Sequence, residues 1–142
     1  MNAEIPERPL ALFQAVERGD VAWTARLLAG GANPDRMNPQ GTTPLMVAAL
    51  GTDVAIVHAL VAAGAEVNRQ AADGSTALMK AALWGRVDLV VALLRLGADP
   101  TLTDAEGWTA AQIACARGHY GIGQLLAAWE PARDEEPEVS RP

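Results

Sequence analysis

A spacing of 33 residues recurs through most of this chain and limits what it can fold into. Gly-Ala pairs begin at Gly31, Gly64 and Gly97. The other residues that repeat at this spacing are Gly41, Gly74 and Gly107; Thr43, Thr76 and Thr109; Ala15, Ala48, Ala81 and Ala114; and Leu27, Leu60, Leu93 and Leu126. A unit of this length cannot bury its apolar face alone, so successive units must stack to form a core.

Each unit has the pattern of a helix, a short break, a second helix and a longer turn. In the third unit the first helix is predicted over residues 76–83, the break at Trp84 and Gly85, and the second helix over residues 87–94. Val87, Val90, Val91 and Leu94 have the i, i+3, i+4, i+7 spacing that predicts a buried stripe on this second helix.

Glycine occupies the break between the two helices in three units, at Gly19, Gly85 and Gly118. Glycine ends a helix there at little steric cost. The second unit has Thr52 at this position and Gly51 one residue earlier, so we expect its break to be distorted.

Three segments carry a resemblance to a known family: residues 38–46 (NPQGTTPLM), with weaker copies at 71–79 (AADGSTALM) and 104–112 (DAEGWTAAQ). The closing turns at 64–68 (GAEVN) and 97–100 (GADP) add to it. Over roughly residues 10–129 the chain resembles ankyrin-repeat proteins. The resemblance implies an all-α solenoid of four helix-turn-helix units with β-turn or finger connections.

The predicted organisation is a single ankyrin-repeat domain over residues 10–130, with units at about 10–37, 38–70, 71–103 and 104–130. Residues 1–9 are an N-terminal extension, and the acidic residues 131–142 are predicted to be disordered. The family usually has histidine where this chain has Met46, Met79 and Gln112. Because methionine can only pack, we expect the turns to lack the ring hydrogen bonds of that histidine.

In the family, turn tips and first-helix faces line a concave side that binds partner proteins. By register, the predicted contact residues are Leu50, Asp73, Leu83, Trp84, Glu106, Trp108 and Arg117. We expect a surface centred on Trp84 and Trp108, because tryptophan is enriched at binding hot spots. The alternative is that the leucines close the ends of their helices and the tryptophans lie flat on their neighbours.

Five other residues that could carry chemistry fit a structural role better. Trp23 shares its register with core positions and Trp129 is expected to cover the C-terminal end of the core. His58 is expected on a solvated helix face, His119 at a helix start, and Cys115 in the core, in register with alanines. The glycine-rich residues 118–123 match no phosphate-binding motif, and the spacing of His and Cys predicts no zinc site.

Composition narrows the function further. The net charge is −6 without a cluster of Lys and Arg, so nucleic acid is not an expected partner. No apolar run is long enough to cross a membrane, and the N-terminus lacks the pattern of a secretory signal. We therefore expect a cytoplasmic monomer that binds another protein and carries neither a cofactor nor a metal. The alternatives are a regulatory accessory subunit or inhibitor of an enzyme and, with least support, a stand-alone enzyme.

Overall fold

The computed structural model describes residues 4–51 and 53–129, with the side chains from residue 11 onward. Within these residues the chain forms helices joined by turns, and β-structure is limited to an isolated bridge between Thr103 and Thr109. The described helices are α1 (Glu4–Arg18), α2 (Val21–Ala29), α3 (Pro44–Leu50), α4 (Val54–Ala62), α5 (Ala77–Leu83), α6 (Val87–Arg95), α7 (Ala110–Ala116) and α8 (Tyr120–Ala128).

The helices form two layers. The first helices α1, α3, α5 and α7 pack side by side, and the second helices α2, α4 and α6 pack behind them in the same order. Helix α8 packs against its own partner α7. Four helix pairs therefore follow one another along the stack, as the 33-residue spacing predicts.

Helix starts in the first layer are set by threonine. Thr43, Thr76 and Thr109 each accept a hydrogen bond through the side-chain oxygen from the backbone N–H three residues later, at 3.2–3.3 Å. This satisfies one of the N–H groups that a helix start leaves unpaired. In α7 the cap is reciprocal, because Gln112 Oε1 accepts from the Thr109 N–H at 2.9 Å.

The breaks inside the helix pairs follow the predicted difference between units. Gly19, Gly85 and Gly118 have φ values of 72°, 71° and 87°, in the region that favours glycine. Gly51 instead ends α3 with φ of −87°. Thr52, which holds the glycine position in that unit, lies outside the described residues.

Small and branched residues build the core between the layers. The alanines Ala49 and Ala82 are fully buried, which lets the first helices approach closely, and Leu60 and Leu93 fill the space between layers. The predicted stripe on α6 is confirmed at Val90 and Leu94, half-buried at Val91, and wrong at Val87, which is 53 % exposed. Val87 is the first residue of α6, next to the turn at the edge of the layers, and spacing alone does not distinguish an edge position from a central one.

The two ends of the stack depart from the register. The prediction that Cys115 lies in the core is wrong, because its side chain is exposed. Ala49 and Ala82 hold the same register and are buried because a further unit packs over their helices. Cys115 lies in α7, in the last described helix pair, and no described unit packs over it. Trp23 was also predicted in the core but is half-buried, with the Arg18 guanidinium 5.7 Å from its ring centre. Trp129 packs against the core, as predicted.

The domain boundaries predicted from sequence stay predictions, with one addition. Helix α1 begins at Glu4, so residues assigned to the N-terminal extension continue the first helix of the stack. The predicted acidic tail, residues 131–142, lies outside the described residues.

Thr24 in α2 is a buried polar residue whose replacement should stabilise the fold. Its side chain is fully buried, and Oγ1 has no hydrogen-bond partner among the described residues. Val57 and Val90 hold the equivalent position in α4 and α6. Because an unpaired buried hydroxyl costs about 1–3 kcal/mol, Thr24→Val should raise the free energy of unfolding by about 1 kcal/mol in urea denaturation.

The control is the same substitution at a threonine whose hydroxyl oxygen accepts a hydrogen bond. Thr43 is equally buried, but its Oγ1 caps α3. Thr43→Val should therefore destabilise the protein by about 1 kcal/mol. If both variants lose stability to the same extent, the Thr24 hydroxyl has a partner and the account of this position is wrong.

Candidate functional site

The surface formed by the first-helix layer and the turns that precede its helices carries most of the predicted contact residues. We call it the first-helix face; it comprises the exposed side chains of α3, α5 and α7 and the turn tips before them. Leu50, Trp84 and Trp108 are large apolar residues on this face and are 43 %, 58 % and 42 % exposed. Asp73, Glu106 and Arg117 are also exposed, and Leu83 is half-buried.

The turn tips are held without the histidine typical of the family. Met46 and Met79 are buried and contribute packing alone, as expected. Asn38 Oδ1 instead accepts hydrogen bonds from the N–H groups of Gln40 and Thr42, each at 3.0 Å. In the last turn Asp104 Oδ1 accepts from Glu106 and Trp108 in the same way, at 2.9 and 3.0 Å. These side chains hold each tip in one conformation.

The turn before α5 uses a different residue for the same purpose. Asp73 Oδ1 accepts from the hydroxyl of Ser75 at 2.6 Å and from its backbone N–H at 3.0 Å. The hydroxyl hydrogen bond, followed by the backbone one, lowers the pKa of Asp73 below its ordinary value. Asp73 is thus a fixed negative charge at neutral pH, on the surface where the sequence predicted it.

Hydrogen bonds also tie the third and fourth turns together. The Ala105 N–H donates to the Asp73 carbonyl at 3.0 Å. Gln70 Nε2 donates to the carbonyls of Gly74 and Thr103, at 2.8 and 3.0 Å. The relative positions of Asp73 and Asp104 are therefore set by the backbone of both turns rather than by flexible side chains.

Between these two turns and the helices behind them lies a groove of about 200 Å³, which we call the finger groove. Its lining residues are Asp73, Ser75, Met79, Lys80, Leu83, Asp104 and Ile113. The two acidic residues belong to the turns, whereas the helices α5 and α7 supply three apolar side chains and the lysine. The side chain of Lys80 forms no ion pair within 4 Å among the described residues, although its charge also helps to lower the pKa of Asp73.

The structure places the two central tryptophans at opposite ends of the first helices. Trp84 directly follows α5, whereas Trp108 lies two residues before the start of α7. Because seven helical residues span about 10 Å, their backbone positions are separated by about the length of these helices. The two tryptophans therefore lie apart on the first-helix face, and the residues that line the finger groove do not include them.

Sequence reasoning missed Lys80, Asp104 and Ile113 as parts of this site. Lys80 and Ile113 share a register position and precede Trp84 and Arg117 by four residues, which puts each pair on one helix face. That signal was present in the sequence. Asp104 belongs to a turn motif that was used only as a marker of the fold, so its position at the groove was overlooked.

The residues considered for catalysis remain apart from this site. His58 is exposed on α4, as expected. His119 precedes α8, and its ring lies so close to Gly85 that a Cβ there would come within 2.6 Å of the ring, which indicates packing between the third and fourth units. In the described part of the chain no group of three or more His, Cys, Asp or Glu could hold a metal ion. The described helices include none with the length and apolarity to cross a bilayer.

Helix pairs stacked at a constant 33-residue spacing, with glycine turns and threonine caps in register, define a helical repeat solenoid. A family model described as ankyrin repeats, in three copies, matches residues 12–104, about two thirds of the chain. The chain belongs to the ankyrin-repeat family, whose repeats are generally protein–protein interaction modules. A comparison with curated proteins found no match.

Proposed function

We propose that this protein binds a partner protein through the first-helix face, in the manner of a recognition module and without catalysing a reaction. The observation that carries the proposal is the exposure of Leu50, Trp84 and Trp108 on the first-helix face, which also carries a groove lined by apolar and charged side chains. Exposed apolar residues with a polar rim are typical of protein interfaces. We place this binding in the cytoplasm on the sequence grounds given above.

The charge of this face supports a protein partner over nucleic acid. The residues at the turn tips are Asp73, Asp104 and Glu106, which would repel phosphate groups. The groove is also smaller than the roughly 300 Å³ at which small-molecule sites begin. Single side chains of a partner fit a groove of this size better than a free metabolite does.

Replacing both tryptophans by alanine should remove partner binding and leave the fold intact. Trp84 and Trp108 are about half exposed, so we expect Trp84→Ala with Trp108→Ala to lower the free energy of unfolding by about 3 kcal/mol in total, with the protein still folded. Loss of two hot-spot tryptophans should weaken partner binding at least tenfold. Affinity capture from native lysate, quantified per folded molecule, measures this effect.

The matched control removes apolar side chains of similar exposure from the second-helix layer. Val87 and Tyr120 are 53 % and 65 % exposed, each at the first position of its helix. Val87→Ala with Tyr120→Ala should leave capture unchanged. Equal capture by wild type and by the tryptophan variant would overturn the proposal. Recovery of one stoichiometric enzyme, lost with the tryptophan variant, would extend it to a regulatory accessory subunit or inhibitor.

A further inference from the structure

Two carboxylates line the finger groove from its turns, and in each of them only one oxygen accepts hydrogen bonds from the described residues. Asp73 Oδ1 is held by Ser75, and Asp104 Oδ1 by the N–H groups of Glu106 and Trp108. Neither Oδ2 has a hydrogen bond to any described residue. Both side chains line the same groove, and hydrogen bonds between their turns set their positions.

Neither of these two carboxylates forms an ion pair with a residue of the described part of the protein. The ion pairs found there both belong to Arg69, which pairs with Asp35 and Glu66. Lys80 lines the same groove and brings one positive charge to it, whereas Glu106 adds a third negative charge at the turn tip, so negative charge remains in excess. The turn end of the groove therefore carries a negative charge that a cationic group could balance.

Three apolar side chains also line the groove. Leu83 and Ile113 are half-buried on adjacent helices, and Met79 is buried. Trp108, directly above α7, presents an exposed ring on which a guanidinium or an apolar side chain can pack. A single partner segment can therefore satisfy the charged end and the apolar wall together.

We propose that the finger groove receives an extended segment of the partner protein that presents a lysine or arginine to Asp73 and Asp104 and an adjacent apolar side chain to Leu83 and Ile113. This rests on the proposed function, because it names the kind of protein segment that the first-helix face recognises. Charge complementarity favours this occupant, because the acidic groups of the groove are held in place before binding.

Asparagine at both positions tests the proposal with little disturbance of the turns. An asparagine keeps the Oδ1 acceptor that holds each tip and replaces only the free oxygen by an NH₂ donor. The chain shows that this exchange is tolerated, since Asn38 holds the second-unit turn at the position that Asp104 occupies in the fourth unit. The control is Asp20→Asn with Asp88→Asn. These substitutions remove two exposed charges, one at the start of α2 and one in α6, that do not line the groove.

The probe is a random 12-residue peptide library displayed on phage and selected on the immobilised wild-type protein. Selected peptides are then synthesised with a fluorescent label, and their Kd is measured by anisotropy for each protein variant. We expect the selected peptides to share a lysine or arginine next to an apolar residue. Asp73→Asn with Asp104→Asn should weaken their binding about tenfold, the control pair should change it less than twofold, and high salt should weaken it for wild type.

The outcomes separate this inference from the proposed function. Selected peptides without a basic residue, or with affinities unchanged by Asp73→Asn and Asp104→Asn, overturn the inference. If such peptides still lose binding in the Trp84→Ala, Trp108→Ala variant, the first-helix face remains the binding surface and only its preference for a basic segment is wrong. If they bind equally to that variant as well, or if no peptide is selected, both proposals fail on this test.

Discussion

Gly74→Ala should lower the free energy of unfolding by about 3 kcal/mol, although it adds only one methyl group at a turn. Gly74 has φ of 81°, where an L side chain is strained. A Cβ there would also lie 2.6 Å from Ala105 N and 3.0 Å from Asp104 Cα. Those atoms are backbone and cannot rotate away, so the third and fourth turns must separate and the Ala105–Asp73 hydrogen bond must lengthen. Chemical denaturation followed by circular dichroism measures the loss.

Gly107 provides a control at the equivalent position of the next turn. Its φ is 88°, but a Cβ there would meet no atom within 4 Å. Gly107→Ala should therefore cost only the backbone term of about 1–2 kcal/mol. The difference between the two variants isolates the contact between turns. Equal losses would show that the third and fourth turns are not packed as described, and would also remove the basis for the finger groove.

Leu93→Ala should destabilise the protein by about 3 kcal/mol, a second large effect, this time in the core. Leu93 is fully buried in α6 and belongs to the 33-residue leucine series. Truncation leaves a cavity in the third unit, which has neighbours on both sides. Because stability in a repeat stack depends on contacts between adjacent units, a loss in an inner unit weakens both of its interfaces. Thermal and urea denaturation should give the same order of effect.

Leu27, in the same series, is the matched comparison. It is only half-buried in the first unit, so Leu27→Ala should cost about 1.5 kcal/mol, half as much. A loss at Leu27 as large as that at Leu93 would contradict the view that the first unit acts as a partly exposed cap. The position of Trp23 in the same helix, beside Arg18 and outside the core, would then need a different explanation.

Much of the fold could be predicted from the sequence because it depends on local chemistry that repeats. Threonine caps start α3, α5 and α7, glycines with positive φ follow α1, α5 and α7, and both residue types are visible at a constant spacing. The positions of Val90 and Leu94 follow from helical periodicity. In each of these cases the neighbouring residues that decide the local structure lie within the same unit or at equivalent positions of the adjacent unit.

The wrong burial predictions concern the two end units, in which the packing neighbours of a residue differ from those in an inner unit. Cys115 has the register of Ala49 and Ala82, but no described unit covers it, so the same position is exposed. Trp23 differs from Ile56 and Leu89 for the corresponding reason at the other end. Periodicity assigns each residue to a face of its helix, and burial also depends on what packs against that face.

The candidate site was predictable in its exposed residues and not in its shape. Register places Trp84, Trp108, Asp73 and Glu106 on the surface, and all four are exposed. The finger groove depends on hydrogen bonds between turns 33 residues apart, such as those from Gln70 to Gly74 and Thr103. The spacing of residues does not predict which carbonyls a glutamine side chain will donate to. Only the structure therefore shows that Asp73 and Asp104 line the same groove.

Site-specific photo-crosslinking tests the central claim, that the first-helix face is the partner-binding surface, most directly. Benzoylphenylalanine is placed at the exposed turn-tip residue Glu106 in one variant and at the exposed second-helix residue His58 in another. After irradiation in the native cell and denaturing electrophoresis, our account predicts a discrete adduct of the protein with its partner from position 106 and none from position 58. An adduct from position 58 alone, or equal adducts from both positions, would contradict it.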